Sequence, residues 1–172
     1  MTGRTRRLLA EYDAVCRRFD RCDDISVKVV SRNWEDAPNG YAVTYKIRSI
    51  CGVENIEELG KEENPPLYAD SFVMDINIPD GYPDVDAPAE FRFRTDIPHP
   101  WHPNIRYFGQ MAGRVCLNAT DTFLGIEWGI SRVASYLRYE RYHALNEPPF
   151  PEDQQVAAWV VRQGEKNGWI YL

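Results

Sequence analysis

Asp96–Trp128 reads DIPHPWHPNIRYFGQMAGRVCLNATDTFLGIEW, and the rest of the chain is arranged around it. It carries two of the three histidines, His99 and His102, and the cysteine Cys116 between Val115 and Leu117. Pro98, Pro100, Pro103, Gly109 and Gly113 rule out a regular helix, because proline lacks the amide and glycine is too free in φ and ψ. The stretch is also too long and too aromatic for a plain linker, and long irregular segments in compact domains usually carry function. The chemistry therefore turns on what His102, Asn104 and Cys116 do together.

Outward from this stretch, the composition sets limits. A length of 172 residues suits one domain, residues 1–172, with a sizeable core, and 44% hydrophobic and 13% aromatic residues argue against disorder. Twenty basic residues against 26 acidic ones give a net charge of −6, so nucleic acid is not expected as the main partner. No apolar run approaches the roughly 18 residues of a membrane span. The N-terminus is Arg-rich without an apolar signal core, so neither a membrane nor secretion is expected and the chain reads as cytoplasmic. The four cysteines, at 16, 22, 51 and 116, show no CxxC pairing and read as free thiols rather than a disulfide framework or zinc site. No cofactor is implied.

Residues 3–20 predict an amphipathic helix, with Leu8, Leu9, Tyr12, Val15, Cys16 and Phe19 on one stripe. Its arginines, Arg4, Arg6, Arg7 and Arg17 among them, form either a solvated face or a docking face for an acidic partner. The period then changes to two. Ile25-Val27-Val29, Tyr41-Val43-Tyr45-Ile47, Phe72-Met74-Ile76-Ile78 and Phe91-Phe93 are four alternating sets joined by turns, which predicts an antiparallel meander. Residues 53–66, acidic and ending in Asn64-Pro65-Pro66, read as an exposed loop. Ile130, Val133, Ala134 and Leu137 predict a helix over 130–143, broken by the prolines at 148, 149 and 151, and Val156, Ala157 and Val160 a last short one fading at Gly164. The fold class is α+β: an N-terminal helix, a four-stranded meander, an irregular active-site segment and C-terminal helices.

In this order the chain resembles the ubiquitin-conjugating enzymes, which carry a ubiquitin-like protein as a thioester. The residues that carry the resemblance are Tyr82-Pro83, His102-Pro103-Asn104-Ile105, Gly113-Arg114-Val115-Cys116-Leu117 and Trp128, spread over residues 5–160. The spacing departs from the family in two places: twelve positions separate Asn104 from Cys116, and twelve more separate Cys116 from Trp128. The first surplus falls in a loop at Tyr107–Ala112. Asn118 stands where many members have aspartate, and Asp84 and Gly129-Ile130 replace the residues that commonly grip a ligase, so an ordinary RING or HECT ligase is not an expected partner. Such divergence suits a bacterial conjugation system of the kind used in antiphage defence, by analogy alone.

The resemblance implies that Cys116 accepts the C-terminus of a ubiquitin-like protein from an activating enzyme and passes it to an amine, most simply a lysine, of a protein substrate. The same chemistry could serve the C-terminus of a signalling nucleotidyltransferase. From pattern alone, a Cys between Val and Leu is a small buried hydrophobe. Asn104 either donates to the developing oxyanion or caps its turn. His102, Pro103 and Trp128 read as scaffold, with His99-Pro100-Trp101 a look-alike lacking the asparagine. Asn118, Asp121, Glu147 and Asp153 are candidates for the gate or acid–base role. Three alternatives stay open: a non-catalytic module that binds ubiquitin-like proteins, a cysteine hydrolase pairing Cys116 with a histidine, and a metal site from His99, His102 and Cys116, whose spacing matches no recognised ligand set.

Overall fold

The computed structural model describes residues 1–117 and 124–171. Helix α1 (Gly3–Phe19) is followed by strands β1 (Ile25–Arg32), β2 (Pro38–Tyr45), β3 (Ser49–Val53), β4 (Pro66–Ala69), β5 (Phe72–Asn77) and β6 (Glu90–Phe93). Helices α2 (Ile126–Leu137) and α3 (Gln154–Trp159) close the chain, α3 running on into a π-helical turn at Val160–Gly164. Among the described residues no helix is long and apolar enough to cross a membrane.

Thr2 starts α1 by accepting the Thr5 amide on its hydroxyl, a standard way to satisfy an orphan donor. Thr5, Leu8, Glu11, Val15 and Phe19 recur at helical spacing and make its buried face. Strands β1, β2, β5 and β6 form one antiparallel sheet in that order, with Ile25 opposite Tyr45, Val43 opposite Met74 and Ile76 opposite Phe91. The period-2 alternation sends Tyr41, Val43, Tyr45, Phe72, Met74 and Ile76 into one core with Leu8, Val15 and Phe19 of α1 and Ile130, Val133 and Leu137 of α2. The Tyr45 hydroxyl, fully buried, donates to the Ile130 carbonyl at 3.0 Å and so ties sheet to helix.

The expectation of an exposed loop over 53–66 holds for 54–63, exposed except at a half-buried Leu59, and fails at its two ends. Between β2 and β5 the chain makes a second, two-stranded sheet from β3 and β4, with a single 3-10 turn at Ile56–Glu58. Asn64 in this excursion is wholly buried, donating its backbone N–H to Gln163 Oε1 (2.7 Å) and its side-chain amide to the Asn55 carbonyl (2.8 Å). Ile50 and Val53 then pack with Trp101, Tyr139, Val156, Trp159, Val160 and Ile170 in a second core. That core is the floor under the His-Pro-Asn turn, because the Trp101 amide donates to the Ile50 carbonyl at 2.8 Å.

The helix expected over 130–143 lies earlier, at Ile126–Leu137. Its start is set by Gly125, whose φ of +130° suits glycine alone, and by the buried Glu11 carboxylate of α1, which accepts the Ile126 N–H at 2.5 Å. The N-cap residue offers no side chain, so Glu11 supplies the anion that a helix N-terminus favours. The end is set by Tyr139, held at φ +52° by burial and by its hydroxyl bond to the Trp101 carbonyl. A left-handed residue there stops the helix and releases residues 140–153 as the irregular segment beside the site.

Candidate functional site

The site is assembled by backbone bonds. Pro103 and Asn104 sit on a tight turn closed by the Ile105 amide bonding the His102 carbonyl at 3.0 Å. The chain then makes a tongue: Ile105 bridges Val115, Arg106 N–H bonds the Arg114 carbonyl (2.8 Å), and Gly113 N–H bonds the Arg106 carbonyl (2.7 Å). The returning arm extends the sheet, since Phe93 N–H bonds the Gly113 carbonyl (2.8 Å) and Val115 N–H bonds the Phe91 carbonyl (3.0 Å). Gly113, at φ +88°, is required because a Cβ would collide with the Phe93 carbonyl oxygen. Cys116 follows directly. Its N–H donates to the Asn104 carbonyl at 2.8 Å, and its own carbonyl accepts the Tyr136 hydroxyl of α2 at 3.2 Å.

Cys116 is a half-buried free thiol in the wall of a groove of about 820 Å³. Opposite it stand Tyr82, Pro83, Val85, Pro88 and Phe91, a mainly apolar lining. Asn104 is 7% exposed, and its side-chain oxygen accepts the His143 N–H at 3.0 Å. Asn104 lines a separate polar pocket of about 270 Å³ with Tyr136, Arg141 and His143.

His102 is 1% exposed, stacks on Tyr136 at 4.9 Å and uses both ring nitrogens on the backbone. Nδ1 accepts the Asn104 N–H (3.1 Å), so the proton is on Nε2, which donates to the Arg141 carbonyl (3.0 Å). Burial holds its pKa down at about 3, and the imidazole is neutral. His99 stacks on Tyr107 at 4.3 Å and bonds the Tyr107 carbonyl at 3.3 Å; burial lowers its pKa as well. Neither ring nitrogen of His102 is left for a thiol or a metal. No group of three or more His, Cys, Asp or Glu side chains among the described residues could hold a metal ion.

The acids divide sharply. Asp153 has to be removed from the acid–base candidates. It is 3% exposed, and four backbone amides occupy its carboxylate: Gln155 and Val156 on Oδ1 as the α3 cap, Tyr107 and Phe108 on Oδ2. Its own N–H bonds the Pro103 carbonyl at 3.0 Å, so this residue clamps tongue to helix. Glu147 is exposed on the segment after α2. Asn118 and Asp121 lie outside the described residues. Trp128 is half-buried in the first turn of α2 with the Arg132 guanidinium 4.9 Å over its ring.

The α1 arginines also divide. Arg4 is turned inward, its Nη2 donating to the Pro79 carbonyl at 3.0 Å, which corrects its assignment to a docking face. Arg7 binds the buried Glu11 at 2.7 Å and also lines the Cys116 groove. Arg6 and Arg17 are exposed with no ion pair among the described residues. Two residues were missed from sequence. Glu11 accepts Arg7, the Tyr82 hydroxyl (2.5 Å) and Ile126 N–H, joining α1, the Tyr82-Pro83 loop and α2. An acid on the apolar stripe three positions after Leu8 was the available signal. Glu152, next to Asp153, accepts both tongue arms, Arg106 at 3.3 Å and Arg114 at 2.7 Å, and lines the groove with Cys116. No periodicity marks it.

The protein thus combines a sheet of four antiparallel strands, a leading helix and a cysteine bonded to a His-Pro-Asn turn. The chain is 31% identical over 107 residues to ubiquitin-conjugating enzyme E2 27 of Arabidopsis thaliana, an alignment covering 62% of this chain and 48% of that protein. The chain thus spans about half the length of the curated relative it matches. A putative ubiquitin conjugating enzyme from Plasmodium yoelii superposes with a TM-score of 0.51 at 21% identity, over 99% of this chain and 90% of that one. The E2 domain of a Toxoplasma gondii ubiquitin conjugating enzyme gives 0.51 at 20%, over 94% and 89%. No family model matches. The chain has the ubiquitin-conjugating fold.

Proposed function

We propose that the protein is a conjugating enzyme that carries an acyl group as a thioester on Cys116. The Cys116 thiolate attacks the C-terminal carbonyl carbon of a ubiquitin-like protein held as a thioester on an activating enzyme. The C–S bond to that enzyme breaks, its thiol leaves, and no net redox change occurs. An amine of a protein substrate then attacks the same carbon, Cys116 leaves as thiolate, and the amine's proton passes to solvent or to an exposed acid. Glu147 is the acid available for this among the described candidates.

The observation that carries this reading is the 2.8 Å bond from Cys116 N–H to the Asn104 carbonyl. It ties the Cys116 backbone to that of an asparagine whose side-chain oxygen accepts the His143 N–H. A held amide donor favours negative charge developing on the carbonyl oxygen in the transition state. The apolar groove beside Cys116 suits an extended tail, and a reducing cytoplasm would keep the thiol free. Arg6 and Arg17, exposed on α1, would serve as the contact face for an acidic surface of the activating enzyme.

The test is to mix the protein with an activating enzyme, ATP and a candidate ubiquitin-like protein and run the products without reductant. A thiol-sensitive adduct that is absent in Cys116→Ala supports the reading. An adduct that survives Cys116→Ala refutes it.

A further inference from the structure

One carboxylate forms the wall between two hollows. Cys116 and Arg114 line the groove of about 820 Å³, and Arg106 lines a second hollow of about 300 Å³ with Phe108, Gln154 and Gln155. Glu152 lines both. Its Oε1 accepts Arg106 Nε at 3.3 Å and Arg114 Nε at 2.9 Å, with Arg114 Nη2 2.7 Å away, so it joins the two arms of the tongue across that wall. We infer that Glu152 is a positioning residue for the reaction at Cys116, locking the 140–153 segment to the arm that carries the cysteine. The inference rests on the reading of Cys116 as the thioester carrier.

The 140–153 segment is held near its two ends. At one, His143 N–H bonds the Asn104 side chain; at the other, Asp153 takes the Tyr107 and Phe108 amides of the outgoing arm. Leu145 and Phe150, between these anchors, are more than half exposed. Among the described residues, Glu152 makes the one ion pair from this segment to the returning arm, at Arg114. Arg114 and Cys116 stand two apart on that extended arm, so their side chains share a face, and both reach the groove. The backbone also sets Arg106 opposite Arg114, because Arg106 N–H bonds the Arg114 carbonyl at 2.8 Å. Like charges paired across strands repel, and Glu152, 11% exposed, is the anion that holds these two together. With a cation in its place, three guanidiniums drive arm and segment apart, open the groove into the second hollow and shift the sulfur relative to Asn104. A misplacement of about 1 Å costs up to about 10²-fold in rate.

The experiment compares the wild type with Glu152→Arg and with the charge-swapped pair Arg114→Glu/Glu152→Arg, in which an acid again stands between two guanidiniums. First, the proteins, free of any thioester, are alkylated with iodoacetamide, and the Cys116 and Cys51 peptides are followed by mass spectrometry. The limiting rate at high pH is read, since thiol ionisation no longer changes it. At Cys116 it should rise about fivefold in Glu152→Arg, the weight of a partly exposed ion pair, and return to the wild-type value in the swapped pair, while Cys51 stays constant. An unchanged Cys116 rate, no recovery in the swapped pair, or a parallel rise at Cys51, which reports general unfolding, overturns the proposal. Second, preformed thioester is discharged onto hydroxylamine, a neutral amine, in a single turnover. The rate per thioester-bearing molecule, which a loss of folded protein alone leaves unchanged, should fall about tenfold in Glu152→Arg and recover in the swapped pair. A wild-type rate in Glu152→Arg overturns the positioning role. If the wild type forms no thioester, the carrier reading is refuted instead; whether or not the variants accept an acyl group, the alkylation still decides the lock.

Discussion

The Asn104 carbonyl accepts the Cys116 N–H at 2.8 Å while the Asn104 side chain accepts the His143 N–H at 3.0 Å. One residue thereby fixes the cysteine on one side and the segment after α2 on the other. Removing its side chain should separate the two halves of the reaction. In Asn104→Ala, charging of Cys116 should persist and discharge to lysine should slow by about 10²–10³-fold, the usual loss for one oxyanion donor. Single-turnover discharge from preformed thioester measures it. Discharge at the wild-type rate would make Asn104 a structural part only.

His102 gives a pH signature. It is neutral and buried with a folded pKa near 3, well below the 6.5 of a free histidine. Below pH 6.5 the unfolded chain takes up a proton that the folded chain refuses, so stability falls as the pH drops from 6.5 towards 3 and is unaffected above that window. By pH 5 the loss should reach about 2 kcal/mol. Urea midpoints at pH 7 and pH 5 test this, with a flatter profile expected in His102→Gln. Identical profiles for the two proteins would remove His102 as the cause.

Asp153 should behave as a clamp and not as a base. Asp153→Ala uncaps α3 and strips Tyr107 and Phe108 of their acceptor, which should cost about 3 kcal/mol from a lost cap and newly orphaned amides. The pH dependence of discharge should keep its shape. A shifted pH profile with unchanged stability would restore Asp153 to the chemistry.

Glu11 offers a parallel test from α1. Glu11→Leu leaves the Tyr82 hydroxyl and Ile126 N–H without their acceptor, and a loss of about 3 kcal/mol is expected. Glu11→Gln should recover part of it, because an amide oxygen still reaches Ile126. Chemical denaturation of the three proteins measures the series.

The main sheet was legible because Tyr41-Val43-Tyr45 and Phe72-Met74-Ile76 each keep one face buried, and alternation reports that directly. The β3–β4 pair was not. Ser49–Val53 is buried at four of five positions, so it shows no alternation, and Gly52 and the prolines at 65 and 66 read as loop punctuation. The helix boundaries were displaced by long-range partners, Glu11 at the start of α2 and Trp101 beneath Tyr139 at its end, which no local pattern encodes. At the site, the His-Pro-Asn turn and Cys116 stood out in sequence. Asp153 did not reveal its role, because an acid spent on four amides looks the same in sequence as a solvated one.

Cys116 is the residue on which thioester transfer depends most directly. Incubated with activating enzyme, ATP and a cognate ubiquitin-like protein, the wild-type chain should give an adduct that thiol reagents dissolve, and Cys116→Ser should give one that thiol reagents spare and hydroxide cleaves. An adduct of unchanged thiol sensitivity in Cys116→Ser would place the acyl group on another cysteine and contradict the account.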